Sequence, residues 1–441
     1  VCVSRFGDLG QSCASNAACQ QNLCLPLGNG SNACTRTCNG AVDCLGGWTC
    51  GPLSGVTGNV CQCVVAQESC NGEDDDCNGI PDDQDAEQSC TLSGTECRGG
   101  SCVCETTLRD CSGTCADLAR SNEHCGMCNR PCTATGEDQA ECVDAQCKTA
   151  RHLWGSYAHV ESMLAVGNEL VFAQEAVNGS PPPATVQGFN FSTGAATFTV
   201  STTNPRRLAT NGTDVFFTNN DGILRLNRAN NTAQLVWAEP SGRAVSLAAS
   251  ATHLYWSINA VDRAQSRLRR CSLPACSDAV DVAQGEYVSD LLLDGDNLYW
   301  FAEFQNDAGW ETRLRRCAAT GCLGGATTLL TGPTLRSLRA HGGRFYWAQG
   351  GSDGIRSCAA PDCTAPLTVV ESAYVYGLAV DNTGVFWTSG SIGSGVSTCP
   401  LSGCTTPRLL FGGGTEEPQA LVLGTTHLAF SSTYDLFMLP R

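Results

Sequence analysis

The chain has 441 residues, with 43 acidic against 26 basic side chains for a formal charge of −17, and 31 cysteines. That length allows two or three domains with a sizeable core. The acidic balance, with no basic stripe, argues against nucleic acid and anionic membrane surfaces as partners, and no apolar run reaches the roughly 20 residues of a membrane span. No signal-peptide pattern is present, which reads as a mature form.

Acidity and cysteine both concentrate in the first third. Residues 1–148 hold 20 acidic and 7 basic side chains and 23 of the cysteines. Structural zinc would call for repeated C-x₂-C pairs or nearby histidines. The only such pair is Cys125 with Cys128, and the six histidines are scattered. Disulfides are therefore expected, and with them an oxidising compartment: extracellular or cell-surface.

Two Cys-x-Cys hinges, Cys61-Gln-Cys63 and Cys102-Val-Cys104, divide this region into modules at 1–62, 63–103 and 104–148. The cysteines number eight from Cys13 to Cys61, six from Cys63 to Cys102 and eight from Cys104 to Cys147. Each even count allows a module to close its own bridges, with connectivity left open. Cys2 is left over; lipidation, an inter-chain bridge, an upstream partner and internal pairing all remain open. Gly, Asn, Ser, Thr and Asp dominate, so bridges replace apolar burial. The expectation is a stalk of turns and tiny hairpins, with self-association through this arm as one possibility.

The middle module carries the sharpest chemical pattern, from Cys70 through Asp85. With Asp74 at position 1 of a calcium loop, Asp76 falls at 3, Asn78 at 5 and Gly79 at the sharp turn. Ile80 would offer its carbonyl at 7, Asp82 falls at 9 and Asp85 at 12. A tightly curled loop points alternate side chains inward, and oxygen donors suit a hard cation. Seven carboxylates between Glu73 and Asp85 repel one another unless a cation lies among them. Structural Ca²⁺ is the expected cofactor, with Cys70 and Cys77 placed to staple the loop entrance.

From residue 149 onward one pattern repeats seven times: an apolar pair, a polar turn, then an aromatic-rich triplet. The triplets end at Phe172, Phe217, Trp256, Trp300, Trp347, Trp387 and Phe430, at intervals of 45, 39, 44, 47, 40 and 43 residues. A period near forty with short alternating strands predicts four-stranded propeller blades. The fold class is thus mainly β: disulfide-rich small modules followed by a seven-bladed β-propeller over 149–441. Strand a is the apolar pair and strand b the aromatic triplet, while Arg267–Cys271 exemplifies strand c. The last repeat stops after strand c, so Ala150–Trp154 is expected to supply its strand d and close the ring.

Four repeats carry Cys-x₄-Cys between strands c and d: Cys271 with Cys276, Cys317 with Cys322, Cys358 with Cys363 and Cys399 with Cys404. Their regular position reads as local disulfides. The Tyr and Trp of strand b read as inter-sheet core, and His253 and His427 as turn residues. No catalytic set emerges, so the chain is not expected to be an enzyme. By propeller geometry the d–a and b–c connections share one face around the channel. Candidates there are Glu161, Arg206, Arg207, Asp290 and Arg336 entering strand a, and Asn178, Asp262, Arg263, Asn306, Asp307 and Trp310 in b–c connections. The ligand-binding expectation rests on Arg207, Asp290, Arg336, Asp307 and Trp310, for a glycan or protein partner. A structural subunit of an extracellular assembly and a propeller hydrolase or lyase are the alternatives.

Cys70 to Asp83 resembles the metal-binding motif of MopE-type surface proteins. Cys104 to Cys147, with Asn122-Glu-His-Cys-Gly-Met-Cys128, is similar to cysteine-rich repeats of deltaproteobacterial secreted proteins. The Tyr-Trp triplets beside Cys-x₄-Cys resemble those of myxobacterial propeller proteins. These resemblances imply an exported style of protein, not an activity. The association of the MopE group with copper keeps copper open, although no tryptophan or histidine lies near the motif in sequence.

Overall fold

A computed structural model describes residues 9–26, 32–83, 85–155, 159–175, 184–239, 244–306, 309–322, 325–350, 354–371, 373–390, 395–412 and 418–441. Two compact units result: residues 1–132 with 144–146, and residues 133–143 with 147–441.

The first unit is built from two-stranded hairpins and cystine. Cys24–Pro26 pairs with Asn32–Cys34, Thr49–Pro52 with Asn59–Gln62, Thr95–Cys97 with Cys102–Cys104, and Arg109–Asp110 with Cys115–Ala116. Such ribbons are marginal alone, and the bridges supply what burial does not. Cys13–Cys24, Cys19–Cys34, Cys38–Cys50 and Cys44–Cys61 lie before the first Cys-x-Cys hinge. Between the hinges are Cys63–Cys77, Cys70–Cys97 and Cys90–Cys102. Cys104–Cys115 and Cys111–Cys128 follow, and Cys125, Cys132, Cys142 and Cys147 are also disulfide-bonded. Cys70 and Cys77 thus do not staple the loop to each other. Each ties one end of it to a different segment, because the loop curls between its neighbours instead of closing on itself. Each of these nine bridges closes a loop of 11 to 27 residues, a stabilisation of about 2–4 kcal/mol apiece. Cys2 lies outside the described residues.

The second unit is the propeller, with seven blades among the described residues. Blades 1 to 6 cover residues 159–201, 208–238, 244–284, 287–332, 335–370 and 378–411, each a four-stranded antiparallel meander in the order a-b-c-d. Blade 7 supplies strands Leu421–Leu423, His427–Ser431 and Asp435–Pro440, and its outer strand is Gln146–Gly155. Arg151 stands opposite Met438, His152 opposite Phe437 and Gly155 opposite Asp435. The expected closure of the ring by the segment around Ala150 is the observed one. Gln139–Val143 adds a fifth strand to this sheet, so the propeller unit reaches back before residue 149.

Alternation along strand b explains the aromatic triplets. Leu254 and Trp256 pack toward blade 2, while Tyr255 packs with Leu298 and Trp300 of blade 4. Trp256 and Trp300 are 0% exposed, and a buried indole N–H needs an acceptor. Glu239 accepts from Trp256 at 3.4 Å and Glu286 from Trp300 at 2.9 Å. Arg269 and Arg315 on the neighbouring strands balance those carboxylates. His253 and His427 each begin a strand b, with Nδ1 at 2.9 and 2.8 Å from the preceding threonine hydroxyl.

The four Cys-x₄-Cys pairs are all local disulfides, as their spacing suggests. Cys271 bonds Cys276, Cys317 bonds Cys322, Cys358 bonds Cys363, and Cys399 bonds Cys404. The first cysteine of each pair lies in strand c. Its partner differs from that regular position: Cys276, Cys322, Cys363 and Cys404 all stand outside any strand, in the turn that leads to strand d. Cys276 and Cys363 hold left-handed backbone there, at φ +49° and +52°, a conformation that a tight turn demands and an L residue otherwise avoids. Cys404 instead bridges across to Val370 of blade 5, and Cys322 N donates to the Val282 carbonyl of blade 3 at 3.2 Å. The turns of Cys322 and Cys404 thus tie adjacent blades as well as closing their own hairpins.

Glu141, on the fifth strand of blade 7, accepts the Gly412 N–H at the end of blade 6. Burial pushes its carboxyl above the ordinary value, and that one N–H only partly opposes the rise. A raised native value makes the group's contribution greatest below the unfolded value and lost as pH rises through the native one. Glu141→Gln keeps an acceptor and removes the charge. In calorimetric melts it is expected to raise Tm by about 2 °C at pH 7 and to change nothing at pH 3.5.

Candidate functional site

Chemistry-bearing side chains gather in two places, one in each unit. In the first unit the acidic loop curls as a series of Asx turns. Asp74 is 0% exposed; its Oδ1 accepts Asn78 N at 3.0 Å, and its Oδ2 accepts Gly79 N at 3.0 Å and Trp48 Nε1 at 2.8 Å. Asp76 accepts Asn78 N and Nδ2 at 3.0 and 2.8 Å, and Asn78 Oδ1 accepts Ile80 N at 2.9 Å. Gly79 makes the sharp turn at φ +91°, and a Cβ there would lie 2.7 Å from the Leu9 carbonyl oxygen. No other residue fits both the left-handed backbone and the close approach.

Two residues of the spacing set, Asp74 and Asp76, come together with a third carboxylate from outside it. Glu68, Asp74 and Asp76 bring carboxylate oxygens within 4.8 Å of one another. Glu68 is 2% exposed and braces the loop from outside the motif: it accepts Asp75 N, Asp76 N and Asp82 N at 3.1, 3.0 and 3.0 Å. Asp82 instead turns its Oδ1 to Asn71 N and Gly72 N, both at 2.9 Å. Asp83 shares Asn78 Nδ2 with Asp76, accepting from it at 2.8 Å. Asp85 precedes the short turn Ala86–Ser89 and accepts from Gln88, and the Ile80 side chain is exposed. The tryptophan that sequence proximity does not reveal is Trp48, 26 residues before Asp74. Burial pushes the Glu68 and Asp74 carboxyls up; their N–H donors oppose this and the neighbouring Asp76 charge adds to it. Three clustered carboxylates offer oxygen donors, which suit a hard cation. They do not fit copper, because no imidazole is among the donors and Cys63, Cys70 and Cys77 are held in disulfides.

In the propeller, the strand a residues of all seven blades enclose a channel cavity of about 660 Å³. Arg207 and Asp290 line it; Arg207 Nε donates to the Val245 carbonyl at 2.9 Å. Asp290 sits at φ +48° in a strand bulge, and its Oδ2 accepts Ser337 N at 2.8 Å. Arg206 pairs with Glu175 at 3.0 Å and lies 3.9 Å from Glu161. Arg336 stacks over Tyr374, 5.5 Å from the ring centre, with its Nε buried and unpartnered among the described residues. Arg339, not singled out from sequence, also lines the cavity.

Blade 4 supplies the most prominent surface feature. Its strands b and c, Asn297–Asn306 and Gly309–Ala318, are ten residues each, against four to seven in the other blades. Trp310 on this hairpin is 58% exposed. The Arg263 guanidinium lies 4.9 Å from the ring centres of both Trp310 and Tyr287 and donates to the Glu303 carbonyl at 2.9 Å. Asp307 and Asn178 lie outside the described residues.

No protein-family model and no curated protein sequence matches the chain. Solved structures do. An oligogalacturonate lyase in complex with manganese is similar at 12% identity and a TM-score of 0.51, over 66% of this chain and 93% of that one. The β-propeller domain of the Trilobed protease from Pyrococcus furiosus, described as having an open velcro topology, is similar at 8% identity and 0.47, over 65% and 94%. A chain of a nidogen/laminin complex shares 16% identity at 0.38, over 50% and 85%. The likeness is one of fold. The chain is a disulfide-rich protein with a metal-binding-like carboxylate cluster and a seven-bladed β-propeller. Among the described residues, no helix is long and apolar enough to cross a membrane.

Proposed function

We propose that this is an exported, non-catalytic binding protein whose propeller engages a glycan or protein partner through the face bearing the d–a and b–c connections. One observation carries the reading: the long blade 4 hairpin presents Trp310 with Arg263 held between it and Tyr287. Trp, Tyr and Arg are the side chains that dominate binding hot spots, combining large apolar area with fixed donors. Arg336 and Tyr374 repeat the pairing on blade 5 and the connection that follows it. Extensive cystine supports an oxidising, extracellular setting. The resemblance of Cys70–Asp83 to the MopE-type motif, together with the Glu68, Asp74 and Asp76 cluster, supports structural Ca²⁺ in the disulfide-rich arm.

Glycan arrays and immobilised cell-envelope proteins, probed with the purified full chain, test the binding face. The Arg263→Ala and Trp310→Ala double variant is expected to weaken capture at least tenfold while its melting curve stays unchanged. Undiminished capture by that variant would remove the hairpin from the interface.

A further inference from the structure

Laid over one another, the seven blades show one position out of pattern. The residue opposite the middle of each strand b triplet is Leu164, Ala209, Ala248, Leu292, Ala379 or Val422 in six blades. In blade 5 it is Arg339, opposite Tyr346. A guanidinium therefore lines the channel at a register that the other blades keep apolar.

Arg339 is poorly compensated where it stands. Its one hydrogen bond among the described residues runs from Nη1 to the Leu338 carbonyl at 2.8 Å. Among the same residues no carboxylate lies within 4.0 Å of it. Burial pushes its guanidinium down from the usual value, and the Asp290 charge only partly opposes this. Arg339 is half-buried, so the rest of its guanidinium stays open to the channel, where a carboxylate can pair with it. The channel wall beside it is shaped unusually. Asp290 and Ser337, in adjacent blades, are non-glycine residues at φ +48° and +59°, both in strand bulges. Bulges of this kind re-aim side chains near binding sites. Asp290 Oδ1 has no donor among the described residues, and the hydroxyls of Ser289 and Ser337 stand nearby in the wall.

We propose that the channel binds a sugar acid, its carboxylate held by Arg339 and its hydroxyls by Asp290 and the channel serines. A guanidinium matches a carboxylate with two parallel hydrogen bonds, while a carboxylate and serine hydroxyls suit adjacent sugar hydroxyls. The cavity of about 660 Å³ falls in the roughly 300–1,000 Å³ range of small-molecule sites. This site is independent of the blade 4 hairpin and stands whether or not that hairpin binds a macromolecule.

Titration calorimetry on the full chain with glucuronate, galacturonate, glucose and acetate tests it. One sugar acid is expected to saturate a single site, with glucose and acetate at least tenfold weaker. Arg339→Leu installs the kind of residue the other blades carry, so Tm should hold or rise while sugar-acid affinity falls at least tenfold. Arg339→Lys, which keeps the charge, should retain part of the affinity. The Arg263→Ala and Trp310→Ala double variant should leave it unchanged, so that failure of the hairpin reading and failure of the channel site are read separately. The proposal is overturned by absent sugar-acid binding at tens of millimolar, by equal affinity for glucose, or by full affinity in Arg339→Leu. It is equally overturned if Arg339 is needed for an acidic peptide that no sugar acid displaces.

Discussion

Deleting residues 1–148 is expected to leave a folded propeller, and deleting seven more residues is expected to open it. The difference is the outer strand of blade 7, where Arg151, His152, Trp154 and Gly155 pair with Met438, Phe437, Leu436 and Asp435. Ala150 is 0% exposed and packs with Phe411, Phe437 and Leu439, and Trp154 lies 5.6 Å from the Phe172 ring of blade 1. Removing the strand strips burial worth about 1.5–3 kcal/mol for each large apolar side chain it covers. It also turns Asp435–Pro440 into an unpaired edge with Leu436, Met438 and Leu439 beside it, which invites edge-to-edge aggregation. The chain 149–441 should elute as a monomer with a cooperative melt. The chain 156–441 should lose about 15 °C in Tm or aggregate. Equal melting temperatures for the two would show that the ring does not depend on this closure.

The second large effect belongs to Asp74. Asp74→Ala leaves the buried Trp48 Nε1 and the Gly79 N–H without their acceptor, and Asn78 N with only Asp76. Unsatisfied buried donors cost about 1–3 kcal/mol each, and the loop between Cys70 and Cys77 has no apolar core to hold it. Limited proteolysis should cut within 64–90 in the variant, while the propeller melts as before. Asp74→Asn retains an acceptor and should fold, yet lose the protection that added Ca²⁺ is expected to give this segment in the wild-type chain. Cleavage of the wild-type segment at the same rate in Ca²⁺ and in EDTA would refute the calcium role.

Much of this architecture is written in local spacing. The propeller is legible because each blade repeats one alternating strand pattern, and a period near forty has few other structural meanings. The even cysteine counts between Cys-x-Cys hinges matched bridges that close within each segment for the nine pairs running from Cys13–Cys24 to Cys111–Cys128, because bridges form between residues that short turns already bring close. The same holds for Cys276, Cys322, Cys363 and Cys404, each five residues from its partner. The missing strand d was legible from counting strands, since a sheet ring leaves no other place for a C-terminal strand c to pair.

Only the tertiary structure decided which carboxylates meet. Spacing named Asp82 and Asp85 beside Asp74 and Asp76; in the fold Asp82 caps Asn71 and Gly72, and Glu68, from before Cys70, joins Asp74 and Asp76. Trp48 reaches Asp74 across 26 residues. Linear spacing describes a loop that closes on itself, whereas this loop is held by bridges and carboxylates reaching in from other segments. The same reason hid the place of Arg339 at the channel, where spacing had named Asp290. Arg339 and Asp290 are 49 residues apart in sequence and become neighbours because a propeller brings every strand a to one axis. Repetition along the chain determined the blades; convergence at the axis, which no single repeat contains, brought Arg339 and Asp290 into one cavity wall.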